Sequence, residues 1–288
     1  MDRRTLLGSL GAAALAGSLP RAAQAANSLP VEAPIHVGHV GLRVRDAEAL
    51  STWYQQALGL REIGRDGATI RLGAGGETLL TLTQHEGLSL AGPRAAGLFH
   101  TAFLLPTRRD LAMWIAMAID QRVPVTGTAD HRVSEAIYLT DPEGNGVEIY
   151  ADRPQDSWQW VDGQVQMGTF AMDVDGIMGT LGLLPPSWRG APAGTRVGHV
   201  HMKVGNARQA GRWWRETLGF DAVNARDDAV FLSTGGYHHH VAVNEWMSAG
   251  AGRRSDRETG LDSVDLLRRT PGETRRYEDD WGTTITLT

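Results

Sequence analysis

The chain has 288 residues, 42% of them hydrophobic and 21% charged, with a formal net charge of −5. That length supports a full core and domains of ~100–150 residues each, and the mildly acidic balance does not favour nucleic acid or an anionic membrane as partner. No cysteine is present, which excludes disulfides, thiolate metal ligands and a cysteine nucleophile.

In chain order, residues 1–26 come first. Paired Arg3 and Arg4 precede a short Ala/Leu/Gly stretch that ends in Ala23-Gln24-Ala25. This is the layout of a twin-arginine secretory signal, and it predicts an exported, periplasmic protein. The stretch is too short and too rich in glycine for the ~20 apolar residues of a membrane span, and no other run approaches that length.

An internal repeat follows. "HVGHVGLRVRDAEALSTWYQQALGL" (36–60) and "RVGHVHMKVGNARQAGRWWRETLGF" (196–220) superpose without a gap, so that His39 falls on His199 and Leu58-Gly59 on Leu218-Gly219. Each begins with an alternating strand pattern and continues into a stretch with paired aromatics at helical spacing. Each closes on a Gly suited to a helix C-cap. Short β-rich segments bounded by Gly pairs come next. A further copy starts at "GLFHTAFLLPTRRDLAMWIAMAIDQ" (97–121), with a helix predicted from about Arg109 to Arg122, and ends in "DHRVSEAIYLTDPEGNGVEIY" (130–150). A fourth, from "TGLDSVDLLRR" (259–269) to "DDWGTTITLT", lacks room for the helix. The pattern predicts an α+β protein of four βαβββ modules, the fourth shortened. They are expected to form two domains over 36–152 and 196–288, joined by a Pro/Gly/Trp-rich linker over 153–195. Trp53, Trp114, Trp213 and Trp214 lie on predicted helices as core residues.

The "GHV-L-V" strand starts, "GGYHHHVAVN" (235–244) and the phrase "DHRVSEAIYLTDPEGNGVEIYADRP" together resemble the vicinal-oxygen-chelate (glyoxalase/bleomycin-resistance/extradiol dioxygenase) superfamily, in particular its catechol 2,3-dioxygenase branch. The likeness covers most of the chain after the signal. It implies a non-haem Fe(II) site, with Mn(II) as the other fitting ion, held by two His and one Glu with open positions for a chelating diol and O2. The implied activity is extradiol cleavage of a catechol-type substrate. The alternative is an exported metal-bearing relative of glyoxalase, lyase or small-molecule-binding type. Expected partners are a small aromatic diol and O2, without nucleic acid or stable membrane insertion and with self-association into a homo-oligomer allowed.

The repeat shows which modules can carry that site. At the opening-strand ligand position stand His39, His100, His199 and, by sequence alignment, Asp262; at the closing-strand Glu position module 2 has Glu148 and module 4 has Thr286. Module 2 therefore supplies His100 and Glu148. The third ligand is His199 if modules 2 and 3 pair, or His39 if modules 1 and 2 pair, and the run His238-His239-His240 in module 3 favours His199. The resemblance further implies His239 as the proton-transfer group, with His240 as the fallback, and Tyr138 and His131 as substrate contacts. His201, two residues beyond His199 on the same strand face, is a candidate supporting group.

Overall fold

A computed structural model describes residues 29–183 and 187–288; the export signal expected over 1–26 lies outside the described residues. A one-turn helix, α1 (Leu29–Glu32), leads into module 1: β1 (Ile35–Val44), α2 (Ala47–Leu58), β2 (Arg61–Asp66), β3 (Thr69–Ala74) and β4 (Glu77–Gln84). Module 2 repeats the order as β5 (Gly97–Leu104), α3 (Arg108–Gln121), β6 (Gly127–Asp130), β7 (Ser134–Thr140) and β8 (Gly146–Asp152). A small hairpin, β9 (Trp160–Val161) and β10 (Gln164–Val165), and a short helix, α4 (Val174–Gly179), fill the connection. Module 3 is β11 (Arg196–Lys203), α5 (Ala207–Leu218), β12 (Asp221–Ala225), β13 (Ala229–Ser233) and β14 (Val241–Asn244). Module 4 keeps only β15 (Gly260–Arg268), β16 (Arg275–Glu278) and β17 (Thr284–Leu287), with no helix between β15 and β16.

The helices start and stop for the same reason in all three modules. Asp46, Thr107 and Asn206 sit at the N-caps in extended conformation, and each side chain accepts a hydrogen bond from the backbone N–H three residues on. Gly59 and Gly219 close α2 and α5 at φ 71° and 73°, and Arg122 closes α3 in the same left-handed region at φ 56°.

The sheets do not follow the two halves expected from chain order. One sheet runs β16-β17-β15-β1-β4-β3-β2 and joins modules 1 and 4; the other runs β12-β13-β14-β11-β5-β8-β7-β6 and joins modules 2 and 3. The seams are antiparallel pairings of opening strands, β1 with β15 and β5 with β11. Both are interior strands, mostly buried along their length, so each opening strand needs a partner on its free edge. The alignment of Asp262 with the ligand position is also corrected by register. Ser263 faces Gly41 across the β1–β15 seam, as His100 faces His201 across β5–β11.

The two sheets share one apolar core that runs from Val37 and Leu42 through Trp114 and Ile149 to Trp214 and Ile285. Trp114 and Trp214 are fully buried, while Trp53 and Trp213 pack partly exposed against the core. Trp114 of α3 also donates its indole N–H to the Ala57 carbonyl of α2 at 2.8 Å, which ties module 2 to module 1 across the sheets. Trp114→Ala, which opens a cavity and orphans that carbonyl, is expected to cost about 3–5 kcal/mol of unfolding free energy in a denaturant titration.

Candidate metal centre and substrate cavity

Strand register brings the expected ligands together. β5 and β8 run parallel with Ala102 opposite Glu148, while β5 and β11 run antiparallel with His199 opposite Ala102. His100, Glu148 and His199 thus project from adjacent strands on the same sheet face. Glu148 Oε2 lies 2.9 Å from His100 Nε2 and 3.2 Å from His199 Nε2. One ligand atom from each residue falls within 4.8 Å of the others, and all three residues are buried.

The charge pattern suits a cation. Burial raises the pKa of the Glu148 carboxyl, but the facing His199 and His100 rings outweigh burial and hold it well below the usual range. Burial lowers His199 to about 4 despite the Glu148 carboxylate beside it. At neutral pH the set is therefore one carboxylate and an unprotonated imidazole at His199. His100 Nε2 is buried and has no well-directed hydrogen-bond partner, although Glu148 Oε2 is close. Two cis ligands about 2.1 Å from a shared ion stand about 3.0 Å apart, which matches both nitrogen–oxygen separations. The residues present fit a divalent ion held by two imidazoles and one carboxylate.

The centre forms the floor of a cavity of about 360 Å³. Phe99, Trp246 and Phe231 form an aromatic wall around His201, with ring centroids 5.0–5.7 Å from it. Asn244 donates its side-chain N–H to His201 Nε2 at 2.8 Å, so His201 carries its own proton on Nδ1. On the other side His131 Nδ1 donates to the Gly168 carbonyl at 2.6 Å, and Tyr138 donates its hydroxyl hydrogen to His131 Nε2 at 2.6 Å. A carbonyl can only accept, so this order is fixed for the neutral ring. His239 also lines the cavity, its ring 4.1 Å from that of His199, and burial followed by the neighbouring imidazoles lowers its pKa well below the ordinary value.

The sequence-predicted residues mostly meet here: His100, Glu148, His199, His131, Tyr138, His239 and His201 all line the cavity. His39 is elsewhere. It lies in the other sheet, 3.2 Å from Asp265 and partly exposed, which removes it as the third ligand. The His238–His240 run precedes β14 rather than lying on a strand, so alternation does not govern it. His240 turns away from the cavity, donates from Nε2 to the Pro30 carbonyl at 3.2 Å and is not the proton-transfer group. The segment read as a linker does more than connect: Met167, Gly168 and Thr169 line the cavity. Sequence reasoning missed these residues, and also Phe99, Phe231, Trp246 and Arg226. None belongs to a motif, and only the fold brings them to one place.

The family relationship follows from comparison with known proteins. The sequence model of the Glyoxalase/Bleomycin resistance protein/Dioxygenase superfamily matches residues 36–149. The chain is 34% identical over 232 residues to a Catechol-2,3-dioxygenase of Bacillus subtilis (strain 168), which spans 79% of this chain and 80% of that protein. The chain therefore belongs to this superfamily, and within it resembles extradiol dioxygenases. Biphenyl-2,3-diol 1,2-dioxygenase 3 of Rhodococcus globerulus is 30% identical over 145 residues, 44% of this chain and 70% of that one. Glyoxalase I from Zea mays shares the fold, with a TM-score of 0.52 at 11% identity over 90% of this chain and 94% of its own.

Two outcomes test the centre. Glu148→Gln removes the only carboxylate of the set and is expected to weaken divalent-metal binding by at least ~100-fold by calorimetry or metal analysis, whereas His39→Ala leaves it unchanged. The second concerns pH. His199, His201, His239 and His240 all have lowered folded pKa values, about 4 for His199 and about 3 for His240. A lowered folded value stabilises the protein above the unfolded pKa of ~6.5, and that stability is lost as pH falls through the folded value. The thermal midpoint of the metal-free protein is expected to fall by roughly 10 °C between pH 6.5 and 4 and to be level above that window.

Proposed function

We propose that this protein cleaves the ring of a catechol-type diol with O2 beside the two hydroxyls, using Fe(II), or Mn(II), held by His100, Glu148 and His199. The observation that carries the reading is one cavity containing both a two-His, one-Glu set and three acid–base side chains, His239, His131 and Tyr138, in a chain similar to catechol and biphenyl-diol dioxygenases. The chemistry that such an ion supplies when bound is Lewis acidity toward the diol oxygens and electron transfer between diol and O2.

The remaining work falls to side chains. The wall of Phe99, Phe231 and Trp246 accepts a flat aromatic ring and keeps water from it. His239 is unprotonated at neutral pH, which suits it to take a hydroxyl proton as the diol binds and to return it as negative charge develops on oxygen. Tyr138 has given its hydrogen to His131, so its oxygen lone pairs face the cavity as acceptors for the second hydroxyl. Burial, with Glu148 nearby, pushes Tyr138 well above its ordinary pKa, so it stays a neutral phenol. Gly168, from the inter-module segment, holds His131 in that orientation.

Anaerobic reconstitution with Fe(II), followed by a panel of catechols and O2, is expected to give stoichiometric O2 uptake and a yellow ring-opened semialdehyde. Metal binding with neither colour nor uptake would favour a glyoxalase-type or purely binding role. His239→Asn is expected to lower kcat by about 10²–10⁴-fold while bound metal stays constant. We also propose that the chain is exported, on the strength of paired Arg3 and Arg4 before the apolar stretch. Replacing both arginines with Lys is expected to retain the protein in the cytoplasmic fraction.

A further inference from the structure

Behind the metal centre, on the side away from the cavity, lies a buried polar network that the proposed reaction does not use. Asp152 at the end of β8 is its centre, with its side chain only 2% exposed. Its Oδ1 accepts a hydrogen bond from His238 Nε2 at 2.9 Å, and its Oδ2 accepts one from the Tyr237 hydroxyl at 2.9 Å. Two arms leave this carboxylate. Along the first, the Tyr237 and Tyr150 hydroxyl oxygens are 2.8 Å apart, and Tyr150 Oη lies 3.4 Å from His199 Nδ1. Along the second, His238 Nδ1 lies 2.8 Å from His239 Nδ1.

Counting hydrogens along each arm leaves little freedom. A carboxylate only accepts, a phenol has one hydrogen to give, and a neutral imidazole donates from one nitrogen and accepts at the other. Tyr237 gives its hydrogen to Asp152, so it must accept from Tyr150. Tyr150 has then given its own and can only accept. His199 Nδ1 therefore faces an acceptor at 3.4 Å, while its Nε2 faces another, the Glu148 carboxylate, at 3.2 Å. A cation that takes the Nε2 lone pair leaves the one proton on Nδ1, donated to Tyr150. On the other arm His238 gives its Nε2–H to Asp152, so its Nδ1 is an acceptor and His239 must donate from Nδ1. With a cation at the centre both arms end alike: a proton on Nδ1 and a lone pair on Nε2.

We propose that Asp152 is a positioning residue that dictates the tautomers of His199 and His239 together, through the Tyr237–Tyr150 arm and the His238 arm. His199 Nε2 then presents a lone pair toward Glu148 and any ion beside it, and His239 Nε2 is left as the free basic nitrogen. The use made of His239 rests on the function proposed above; the placement of the protons does not. The backbone is built around the first arm. A Cβ at Gly198, on β11, would overlap the Tyr150 hydroxyl, so glycine next to the ligand His199 makes the room through which Tyr150 reaches that ring. This accounts for the glycine in the "VGHV" phrase of module 3. In module 1 the matching Gly38 instead faces Leu267, and no tyrosine enters.

The test reads proton positions directly. The full-length protein is labelled with ¹⁵N-histidine and loaded with diamagnetic Zn(II), and long-range ¹H–¹⁵N correlations are recorded at neutral pH. His199 and His239 are expected to show Nδ1–H with an unprotonated Nε2. Asp152→Asn reverses at least one arm, because the amide donates where the carboxylate accepted. At least one ring is then expected to lose its Nδ1–H tautomer. Tyr150→Phe interrupts only the first arm: His199 alone changes signature, and Fe(II) affinity titrated anaerobically falls by about 10–100-fold. His238→Phe interrupts only the second: His239 alone changes, and Fe(II) affinity stays within about twofold. Should Asp152→Asn fail to fold, these two variants decide the matter. Nε2–H on either ring of the wild type, or unchanged signatures in both single-arm variants, would overturn the proposal. If the tautomers are as stated and no catechol supports O2 uptake, the functional reading fails and the proton placement stands.

Discussion

A carboxylate buried to 1% exposure, Glu148, is the constraint around which this half of the molecule is organised. Placing an unpaired carboxylate in a protein interior costs several kcal/mol, and a group in that position either takes up a proton or acquires partners. Here it acquires two imidazoles from strands on either side of a seam, and their proximity outweighs the effect of burial on its proton affinity. Each imidazole must in turn present a lone pair, not a proton, if an ion is to sit among them. The second nitrogen of His199 is accordingly turned toward Tyr150 and the Asp152 network behind it. The polar interior is thus nested: the cavity depends on the ligands, and the ligands depend on hydrogen bonds one layer further in.

The same architecture occurs twice in the chain with opposite outcomes. In the sheet of modules 2 and 3, one face carries His100, Glu148 and His199, which line an aromatic-walled cavity. In the sheet of modules 1 and 4, the counterpart of His199 is His39, which faces Asp265, and the counterpart of Glu148 across the register is Thr286. Nearby, Arg43 approaches Asp262 and Asp256, and Arg254 donates to the Asp262 and Gly282 carbonyls. Ion pairs stand in this half where the other carries the two-His, one-Glu set, and through the shared core it forms a scaffold for the other sheet. The α2–α3 contact at Trp114 is one place where that scaffold supports the working sheet.

A second polar cluster shows how the inter-module segment is held over the site. Glu135, buried on β7, takes Arg108 from the start of α3 and Arg153 just beyond β8, and Arg108 also donates to the Gly176 carbonyl of α4. The backbone of Phe170 pairs with Asp130 next to His131. These contacts tie 153–183 to β6, β7 and the start of α3, and the Gly168 carbonyl lies where His131 donates to it. The conformation of the segment is decided by these long-range partners.

Repeats, helix caps and the chemistry of the motif residues are local properties, and the sequence by itself determined them. His39 on His199, Leu-Gly at two helix ends, and Glu148 against Thr286 are legible because a duplicated module carries its own internal comparison. That comparison was enough to select His100 and Glu148 and to favour His199 as the third ligand. Pairing between modules depends on which strand edges meet in space: chain order suggested domains of 1 with 2 and 3 with 4, the histidine run favoured 2 with 3, and the edges joined 2 with 3 and 1 with 4. Register across the seam, the turn of three successive histidines into three different surroundings, and the contribution of 167–169 to the cavity were likewise settled only by tertiary structure. The reason is physical: backbone hydrogen bonds and capping act over a few residues, whereas the cavity is assembled from groups up to 147 positions apart, Phe99 to Trp246, that share no local signal.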